Sequence, residues 1–182
     1  MSKIIEYTLV SLDGVFAGPG NAQFLRFRDD AYLRDGLGQL LACDAMLIGR
    51  TSYESFASLW PGRAHPWADA LNSMRKYVFS STLEPAEWSN SALIRGDVVS
   101  EARRLKSDHA GNLLIWGHGL LGGTLLRHQL VDVLDVSIHP LLLGEGRLFF
   151  RVGLTSELQL IAAKAFTSGI VKLTYERRGL PA

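Results

Sequence analysis

The chain has 182 residues, 47% of them hydrophobic, and a formal net charge of +1, which gives no reason to expect a nucleic-acid partner. Its single cysteine, Cys43, excludes an intrachain disulfide and argues against a thiolate metal cluster. No stretch approaches the roughly 20 apolar residues of a membrane span, and acidic residues interrupt the N-terminal segment too early for a secretory signal. We therefore expect one soluble, cytoplasmic domain over residues 1–182.

The N-terminal part of the chain predicts a strand, a loop, a helix and a second strand. Residues 4–12 are rich in β-branched and aromatic types, which are typical of a strand, and the loop over 13–21 is rich in Gly, Pro and Asn. Residues 29–42 have apolar positions at helical spacing, with acidic residues at the start, where the helix dipole favours them. A short buried strand is predicted over 45–49.

The central part of the chain predicts further strands alternating with helices. Thr51 and Glu54 match the S/T-x-x-E capping box, which predicts that a helix opens there, and the segment 60–67 interrupts it. The later elements are a short helix before a strand at 76–80, a strand at 92–96, a helix at 98–106 capped by Asp97, a strand at 113–116, a helix at 120–128, a strand at 131–139 and a hairpin within 158–178. This order predicts an α/β fold in which helices cover a mainly parallel sheet with an antiparallel edge.

Gly117, Gly119 and Gly122 have the G-x-G-x-x-G spacing of a dinucleotide-binding turn between a strand and a helix. In a Rossmann domain that turn normally belongs to the first βαβ unit, whereas only sixty residues follow Gly122 here. The acidic residue expected about 20 positions later would be Asp135, which lies in the middle of a predicted strand. The sequence therefore argues against a Rossmann domain.

Three of the predicted strands end at short polar or glycine-rich turns. Ligands of open parallel sheets bind outside the carboxyl ends of the strands. Amide groups at a helix start, a guanidinium, hydroxyls and glycines all suit a bound phosphate. Each turn taken alone could be merely structural, but the three together favour a dinucleotide cofactor. They are Gly49-Arg50-Thr51, Ser80-Ser81-Thr82 and Gly117-His118-Gly119.

Several segments in order along the chain resemble the dihydrofolate reductase-like superfamily. Its most similar branch is the bacterial group that includes the reductase domain of bifunctional riboflavin-biosynthesis proteins, the RibD C-terminal domain. The resemblance implies a three-layer α/β fold with a mostly parallel sheet and a C-terminal antiparallel hairpin. It also implies that NADPH binds in extended form across the strand ends, with NADH as the alternative. The segments are YTLVSLDGVFAG, DAMLIGRTSYESF, RKYVFSSTL, IWGHGLLGGTLL and LVDVLDVSIHPLLLGEGRLFF, followed by the hairpin.

The resemblance also implies roles for the three turns. Gly49, Arg50 and Thr51 would hold the pyrophosphate or the adenosine-side phosphate. Ser80, Ser81 and Thr82 would flank the adenosine 2′-phosphate, although many relatives have a basic residue where this chain has Ser81. The residues expected at the pyrophosphate and the nicotinamide half are Gly117, His118, Gly119, Leu120 and Leu121.

Substrate contacts are less clearly indicated than cofactor contacts. Dihydrofolate reductases have a carboxylate on the first helix that anchors the pterin, and Asp29 and Asp30 are the candidates here. The alternative is a solvated helix N-terminus, where acids are common. Asp13 could contact substrate or hold its own turn. Basic residues on or near the first helix (Arg26, Arg28 and Arg34) could bind a substrate phosphate, and Phe24, Trp60 and Trp67 could line a pocket or a dimer contact.

No catalytic side chain and no metal site are predicted, because the cofactor carries the hydride and the histidines are scattered. The resemblance implies an NAD(P)H-dependent reductase of a small heterocyclic or ribosyl-linked substrate. Its closest functional parallel is 5-amino-6-(5-phosphoribosylamino)uracil reductase. The alternatives are a true dihydrofolate reductase and a nucleotide-binding protein without turnover. We expect a small-molecule substrate, and the resemblance implies a homodimer. Ile170, Leu173 and Tyr175 belong either to the dimer contact or to the core.

Overall fold

A central sheet of eight strands organises the computed structural model, which describes residues 2–150 and 155–178. The strands are β1 (Ile4–Ser11), β2 (Val15–Ala17), β3 (Cys43–Gly49), β4 (Arg75–Phe79), β5 (Ser91–Ile94), β6 (Asn112–Trp116), β7 (Val133–His139), β8 (Arg147–Leu148), β9 (Leu158–Ala165) and β10 (Val171–Arg177). The helices are α1 (Asp30–Leu41), α2 (Arg50–Leu59), α3 (Pro66–Ser73), α4 (Val98–Asp108) and α5 (Gly119–Arg127), and a 3-10 helix covers Asn21–Phe27.

The strand order of the sheet is β5-β4-β3-β6-β1-β7-β10-β9. Neighbours from β5 to β7 are parallel, and β10 runs antiparallel to both β7 and β9. A separate antiparallel pair joins β2 to β8. The predicted α/β class, the mainly parallel sheet and the antiparallel C-terminal hairpin are therefore confirmed.

Two layers of helices bury the two faces of the sheet. Along β3 the side chains alternate between the faces, as in any strand. Met46 and Ile48 pack in one core cluster with residues of α1, α2 and α3, whereas Ala45 and Leu47 pack in another with residues of α4 and α5. Burial on both faces explains why β3 reads as a continuous apolar run rather than an alternating one.

The predicted capping box is wrong. Helix α2 already begins at Arg50, and its N-cap is Gly49, which has extended backbone and no side chain to cap the helix. Because β3 runs directly into α2, Thr51 lies inside the first turn. Glu54 instead accepts a hydrogen bond of 2.7 Å from Arg50 Nε, one turn earlier.

Two further expectations concern the extent of the chain. The single domain was predicted over residues 1–182, of which 1, 151–154 and 179–182 lie outside the described residues. Within the described part, none of the helices has both the length and the apolar character needed to cross a membrane.

Candidate functional site

A cleft of about 700 Å³ lies along the carboxyl ends of the parallel strands. The three predicted turns meet there because they follow β4, β3 and β6, which are neighbours in the sheet. All eleven residues predicted to bind the cofactor line this cleft: Gly49, Arg50, Thr51, Ser80, Ser81, Thr82, Gly117, His118, Gly119, Leu120 and Leu121. The structure thus brings the predicted residues together, and their binding of a cofactor stays a prediction.

Arg50 connects the first turn to the second. Its Nη1 donates a hydrogen bond of 2.7 Å to Thr82 Oγ1, while its Nε is held by Glu54. The Gly49 N-cap leaves the first amide groups of α2 without a side-chain acceptor. Amide groups of this kind attract anions, and the ten-residue helix adds its dipole. This end of the cleft is therefore suited to a phosphate.

Arg95 is a cation of the cleft that the sequence analysis missed. It follows β5 and lines the cleft beside the second turn. Its Nη1 donates to the carbonyl of Ser81 at 3.1 Å, and its Nη2 donates to the carbonyl of Leu83 at 3.0 Å. The sequence carried no signal for Arg95, because the strand predicted over 92–96 contained it, whereas β5 ends at Ile94. The structure thus places a guanidinium at Ser81, the position without a basic residue of its own.

The third turn contains two glycines with left-handed backbone. Gly117 has a φ of +87° and Gly119 a φ of +60°, a region that L side chains rarely adopt. No atom lies within 4 Å of the position that a Cβ would take at either glycine. The backbone at this turn is therefore open to the cleft.

His118 lies between these glycines and pairs with a buried carboxylate. Its Nδ1 is 2.5 Å from Glu6 Oε1, and the side chains of both residues are almost wholly buried. Burial raises the pKa of the Glu6 carboxyl, and the hydrogen bond with His118 opposes that effect. Sequence reasoning missed Glu6, because an acidic residue within a strand carries no sign of a partner 112 residues away.

A second cavity of about 260 Å³ adjoins the cleft. Both cavities share lining residues, among them Phe16, Trp116 and Gly117. The second cavity is otherwise lined by Tyr7, Thr8, Leu9, Asn21, Phe24, Arg28, Ser52 and Phe56. Of its described lining residues none is Asp or Glu, and Arg28 supplies the positive charge.

Of the aromatic and basic residues that the sequence indicated as possible pocket residues, some line a cavity and others do not. Phe24 and Arg28 line the second cavity as expected, whereas Arg26 and Arg34 line neither cavity. Trp60 and Trp67 stack on each other with ring centroids 6.5 Å apart and pack against the core instead. The indole that faces both cavities is Trp116, the last residue of β6.

The three predicted substrate acids lie outside both cavities. Asp29 is the N-cap of α1, and its carboxylate accepts a hydrogen bond of 2.8 Å from the Tyr32 amide. This corresponds to the alternative in which the acid belongs to a helix N-terminus. It also accepts hydrogen bonds from Thr167 and Ser168 in the turn of the C-terminal hairpin. Asp30 is an exposed residue of the first turn of α1. Neither residue lines one of the two cavities, and a substrate contact by either stays an untested prediction.

Asp13 holds its own turn against a neighbouring loop. Its carboxylate accepts from Ser11 Oγ and from the amides of Leu143 and Gly144, the latter at 2.7 Å. These donors, with Ser11 first, lower the pKa of Asp13 to about 2. The alternative of a turn-holding residue is thus the one that the geometry supports.

Tyr32 is a buried polar residue of α1. Its hydroxyl is hydrogen-bonded to the hydroxyl of Tyr7, which lines the second cavity. Ser137 Oγ also donates to the Tyr7 hydroxyl at 3.3 Å. A chain of three buried hydroxyls therefore stands behind the second cavity.

Comparisons with known sequences agree with this architecture. The model of the RibD C-terminal domain family matches residues 2–172. The chain is 31% identical over 185 residues to the uncharacterized protein YyaP of Bacillus subtilis (strain 168), with 97% of this chain and 96% of that protein covered. It is 26% identical to the uncharacterized protein YwjB of the same strain, with 96% and 98% covered.

Solved structures share the fold at lower identity. A protein of Shewanella sp. PV-4 assigned provisionally to riboflavin biosynthesis is 20% identical, with a TM-score of 0.72 over 97% of this chain and 99% of that one. A diaminohydroxyphosphoribosylaminopyrimidine deaminase/5-amino-6-(5-phosphoribosylamino)uracil reductase of Thermotoga maritima is 15% identical, with a TM-score of 0.69 over 97% of this chain and 57% of that one. The cleft lies across three strand ends, the family model matches residues 2–172, and one relative is 31% identical. The chain therefore belongs to the RibD C-terminal domain family, within the dihydrofolate reductase-like superfamily.

Proposed function

We propose that the chain is an NADPH-dependent reductase that delivers a hydride to a small heterocyclic substrate bearing a ribosyl phosphate. The observation that carries this proposal is the junction at Trp116 and Gly117, which line both the long cleft and the second cavity. A dinucleotide whose nicotinamide end reaches Gly117 would meet a molecule in the second cavity directly. Membership of the RibD C-terminal domain family and the structural similarity to the Thermotoga maritima deaminase/reductase support a reductase.

The cations of the cleft favour NADPH over NADH. Arg50 lies at the start of α2, and Arg95 lies against the carbonyl of Ser81, so two guanidinium groups face the region of the second turn. Arginine binds phosphate with two parallel hydrogen bonds, which suits a 2′-phosphate. Arg95 would thus take the role that a basic residue after Ser80 has in many relatives.

The second cavity favours a flat substrate with an anionic group. Phe24, Phe56 and Trp116 supply aromatic walls, and Arg28 supplies a cation. The ring and the ribosyl phosphate of 5-amino-6-(5-phosphoribosylamino)uracil match these two features. Dihydrofolate fits less well, because the described lining lacks the carboxylate that anchors a pterin. The presence of a second cavity beside the cleft favours a reductase over a nucleotide-binding protein without turnover.

The residues at the junction orient the reactants and exclude water. When bound, the nicotinamide supplies the hydride. Phe16 and Trp116 enclose the place where the two molecules meet. Burial raises the pKa of Tyr7 well above its ordinary value, so its hydroxyl stays protonated beside the cavity. Tyr32 and Ser137 hydrogen-bond to this hydroxyl, which therefore offers the cavity a neutral polar group for hydrogen bonding to the substrate.

Binding and turnover can be tested in sequence. The four tryptophans include Trp116 in the cleft, so we expect a saturable change of protein fluorescence with NADPH. We then expect NADPH oxidation with 5-amino-6-(5-phosphoribosylamino)uracil and little with dihydrofolate. Arg28→Gln should raise the KM for that substrate about tenfold while leaving the Kd for NADPH unchanged. Arg26→Gln, outside both cavities, is the matched control.

Two results would contradict the proposal. One is the absence of any saturable fluorescence change with both NADPH and NADH. The other is turnover with dihydrofolate alone, which would make the chain a folate reductase.

A further inference from the structure

Arg147 is a third arginine of the cleft, and it comes from a different part of the fold than Arg50 and Arg95. It belongs to the antiparallel pair formed by β2 and β8, which we call the β2–β8 ribbon. Its guanidinium carbon lies 5.3 Å from the centre of the Phe16 ring on the partner strand. Arg147, Phe16 and Ala17 all line the cleft. The ribbon therefore forms part of the cleft wall, and Arg147 is its cation.

Close backbone contacts hold the two strands of the ribbon together. The Phe149 amide donates to the Gly14 carbonyl at 2.9 Å. Gly146, the residue before Arg147, has a φ of +128°, and a Cβ there would lie 2.7 Å from the carbonyl oxygen of Ala17. Glycine tolerates both this backbone conformation and this contact. Gly146 thus lets β8 approach β2 closely enough for Arg147 to lie over Phe16.

The ribbon packs against the third turn through two aromatic rings. Phe149 is 1% exposed, and its ring centroid lies 4.7 Å from that of His118. The Phe16 ring lies 5.1 Å from the same imidazole. His118 is the middle residue of the third turn, whose two glycines leave the backbone open to the cleft. Because Arg147 lies over Phe16, its guanidinium stands at the same end of the cleft as the third turn.

The charges that line the cleft are of one sign. Of the described residues that line it, three are arginines and none is Asp or Glu. Arg50 pairs with Glu54 at 2.7 Å and Arg95 with Glu84 at 2.8 Å, whereas none of the described carboxylates pairs with Arg147. A cleft lined by charges of one sign attracts ligands of the opposite sign. The lining therefore favours an anionic ligand that extends to Arg147.

The distance between the turns separates two anion-binding regions. The second turn follows β4 and the third follows β6, with β3 between them. Neighbouring strands lie about 4.8 Å apart, so two strand spacings, or roughly 10 Å, separate the two turns. One phosphate cannot contact both Arg95 at the second turn and Arg147 at the third. A dinucleotide carries a pyrophosphate between its two nucleosides, and this group can supply the second anion.

The substrate is a less suitable source of that anion. Arg147 lines the cleft but not the second cavity, whose cation is Arg28. Phe16, which lines both cavities, lies next to the Arg147 guanidinium. A substrate phosphate held by Arg28 would leave Arg147 to the molecule in the cleft.

We propose that Arg147 binds the pyrophosphate of the dinucleotide, together with the open backbone of the third turn. This inference rests on the proposed cofactor. A guanidinium can donate two parallel hydrogen bonds to the oxygens of a phosphate. The pyrophosphate is common to NADPH and NADH, so this contact strengthens the binding of both. Arg147 therefore sets the affinity for either dinucleotide, whereas the contact proposed for Arg95 distinguishes between them.

The experiment measures the Kd for NADPH and for NADH by tryptophan fluorescence. Arg147→Gln should raise both constants by the same factor, about tenfold, because it removes a charge-assisted contact to a group that both ligands carry. Arg147→Lys keeps the charge but not the paired donors, so we expect a smaller loss. Leu148→Gln is the matched control, since Leu148 is the neighbouring residue of β8, is 53% exposed and lines neither cavity. It should change neither constant.

The salt dependence of NADH binding provides a second measurement. NADH carries its phosphate charge on the pyrophosphate alone, so the rise of its Kd with ionic strength reports on cations near that group. We expect a shallower rise for Arg147→Gln than for the wild-type protein and for Leu148→Gln. A merely structural role of Arg147 would leave this slope unchanged.

Three results would overturn the inference while leaving the proposed cofactor intact. They are unchanged constants for Arg147→Gln, a loss of affinity for NADPH alone, and an equal loss for Leu148→Gln. Absence of NADH and NADPH binding by the wild-type protein would overturn both the inference and the proposed cofactor.

Discussion

Gly122 stands directly against the carboxylate of Glu6. A Cβ at Gly122 would lie 2.7 Å from Glu6 Oε1, closer than real Cβ contacts, and 3.2 Å from His118 Nδ1, which is tighter than most of them. The glycine that completes the apparent G-x-G-x-x-G pattern therefore does not face the cleft as Gly117 and Gly119 do. It makes room for the buried acid–base pair behind the cleft.

Gly122→Ala should lower the free energy of unfolding by about 1–3 kcal/mol, because the methyl group overpacks the Glu6–His118 pair. It should also weaken dinucleotide binding by displacing His118. The matched control is Gly38→Ala in α1, where nothing lies within 4 Å of the added Cβ. That substitution should leave stability unchanged or raise it by up to about 1 kcal/mol. Equal stability of the two variants in urea titrations would contradict the role given to Gly122.

Arg95→Gln should selectively weaken NADPH binding. Loss of one charge-assisted contact to the 2′-phosphate should raise the Kd for NADPH about tenfold, or about 1.4 kcal/mol, and leave the Kd for NADH nearly unchanged. Glu84, which pairs with Arg95 at 2.8 Å, has a largely exposed side chain and can release it at little cost. Arg103→Gln, an exposed position of α4 outside the cleft, should change neither constant. Parallel losses for NADH and NADPH would contradict a 2′-phosphate contact.

Asp13→Asn should lower the melting temperature at neutral pH without changing dinucleotide affinity. The folded state holds the pKa of Asp13 at about 2, below the ordinary value of 3.8, because Ser11 and two loop amides bind its charged form. The stabilisation is therefore present above pH 4 or so and disappears as pH falls towards about 2. Melting curves of both proteins should converge over that window. A raised KM for the substrate with an unchanged melting temperature would instead support the substrate-side role of Asp13.

We expect a homodimer formed through the exposed edge strand β9. Ile170, one of the residues expected either in the core or at a dimer contact, is fully buried in the core. By contrast, Leu160 and Ile161 on β9 are each 49% exposed, and an open apolar edge invites pairing. Light scattering should give twice the mass of the chain. Ile161→Lys should yield a monomer and Leu41→Lys, exposed at the end of α1, should not; a monomeric wild-type protein would contradict the expectation.

Position along the chain was enough to predict the cleft, because parallel strands bring their carboxyl ends to one edge. The same rule did not reveal Arg95, because the strand predicted over 92–96 included it, whereas β5 ends at Ile94. It could not find Glu6 or Arg147, whose roles depend on partners far away in sequence. A local sequence pattern also gave a wrong prediction for the start of α2. Thr51 and Glu54 fit a capping box, yet β3 continues to Gly49 and leaves no loop residue to act as a side-chain cap. Trp60 at the end of α2 and Trp67 in α3 pack against the core and line neither cavity, which the sequence alone did not reveal.

The central position of β1 has a consequence for folding of the chain. Its two neighbours are β6 and β7, so Ile4 pairs with Leu113 and Ile5 with Val133. Pairings of such sequence separation form slowly, because a long loop must close before any contact rewards it. On the ribosome, β3, β4 and β5 emerge before β6 can insert between β3 and β1. The first two turns are therefore synthesised before the third, and β1 can pair with β6 only after more than 100 further residues have been made.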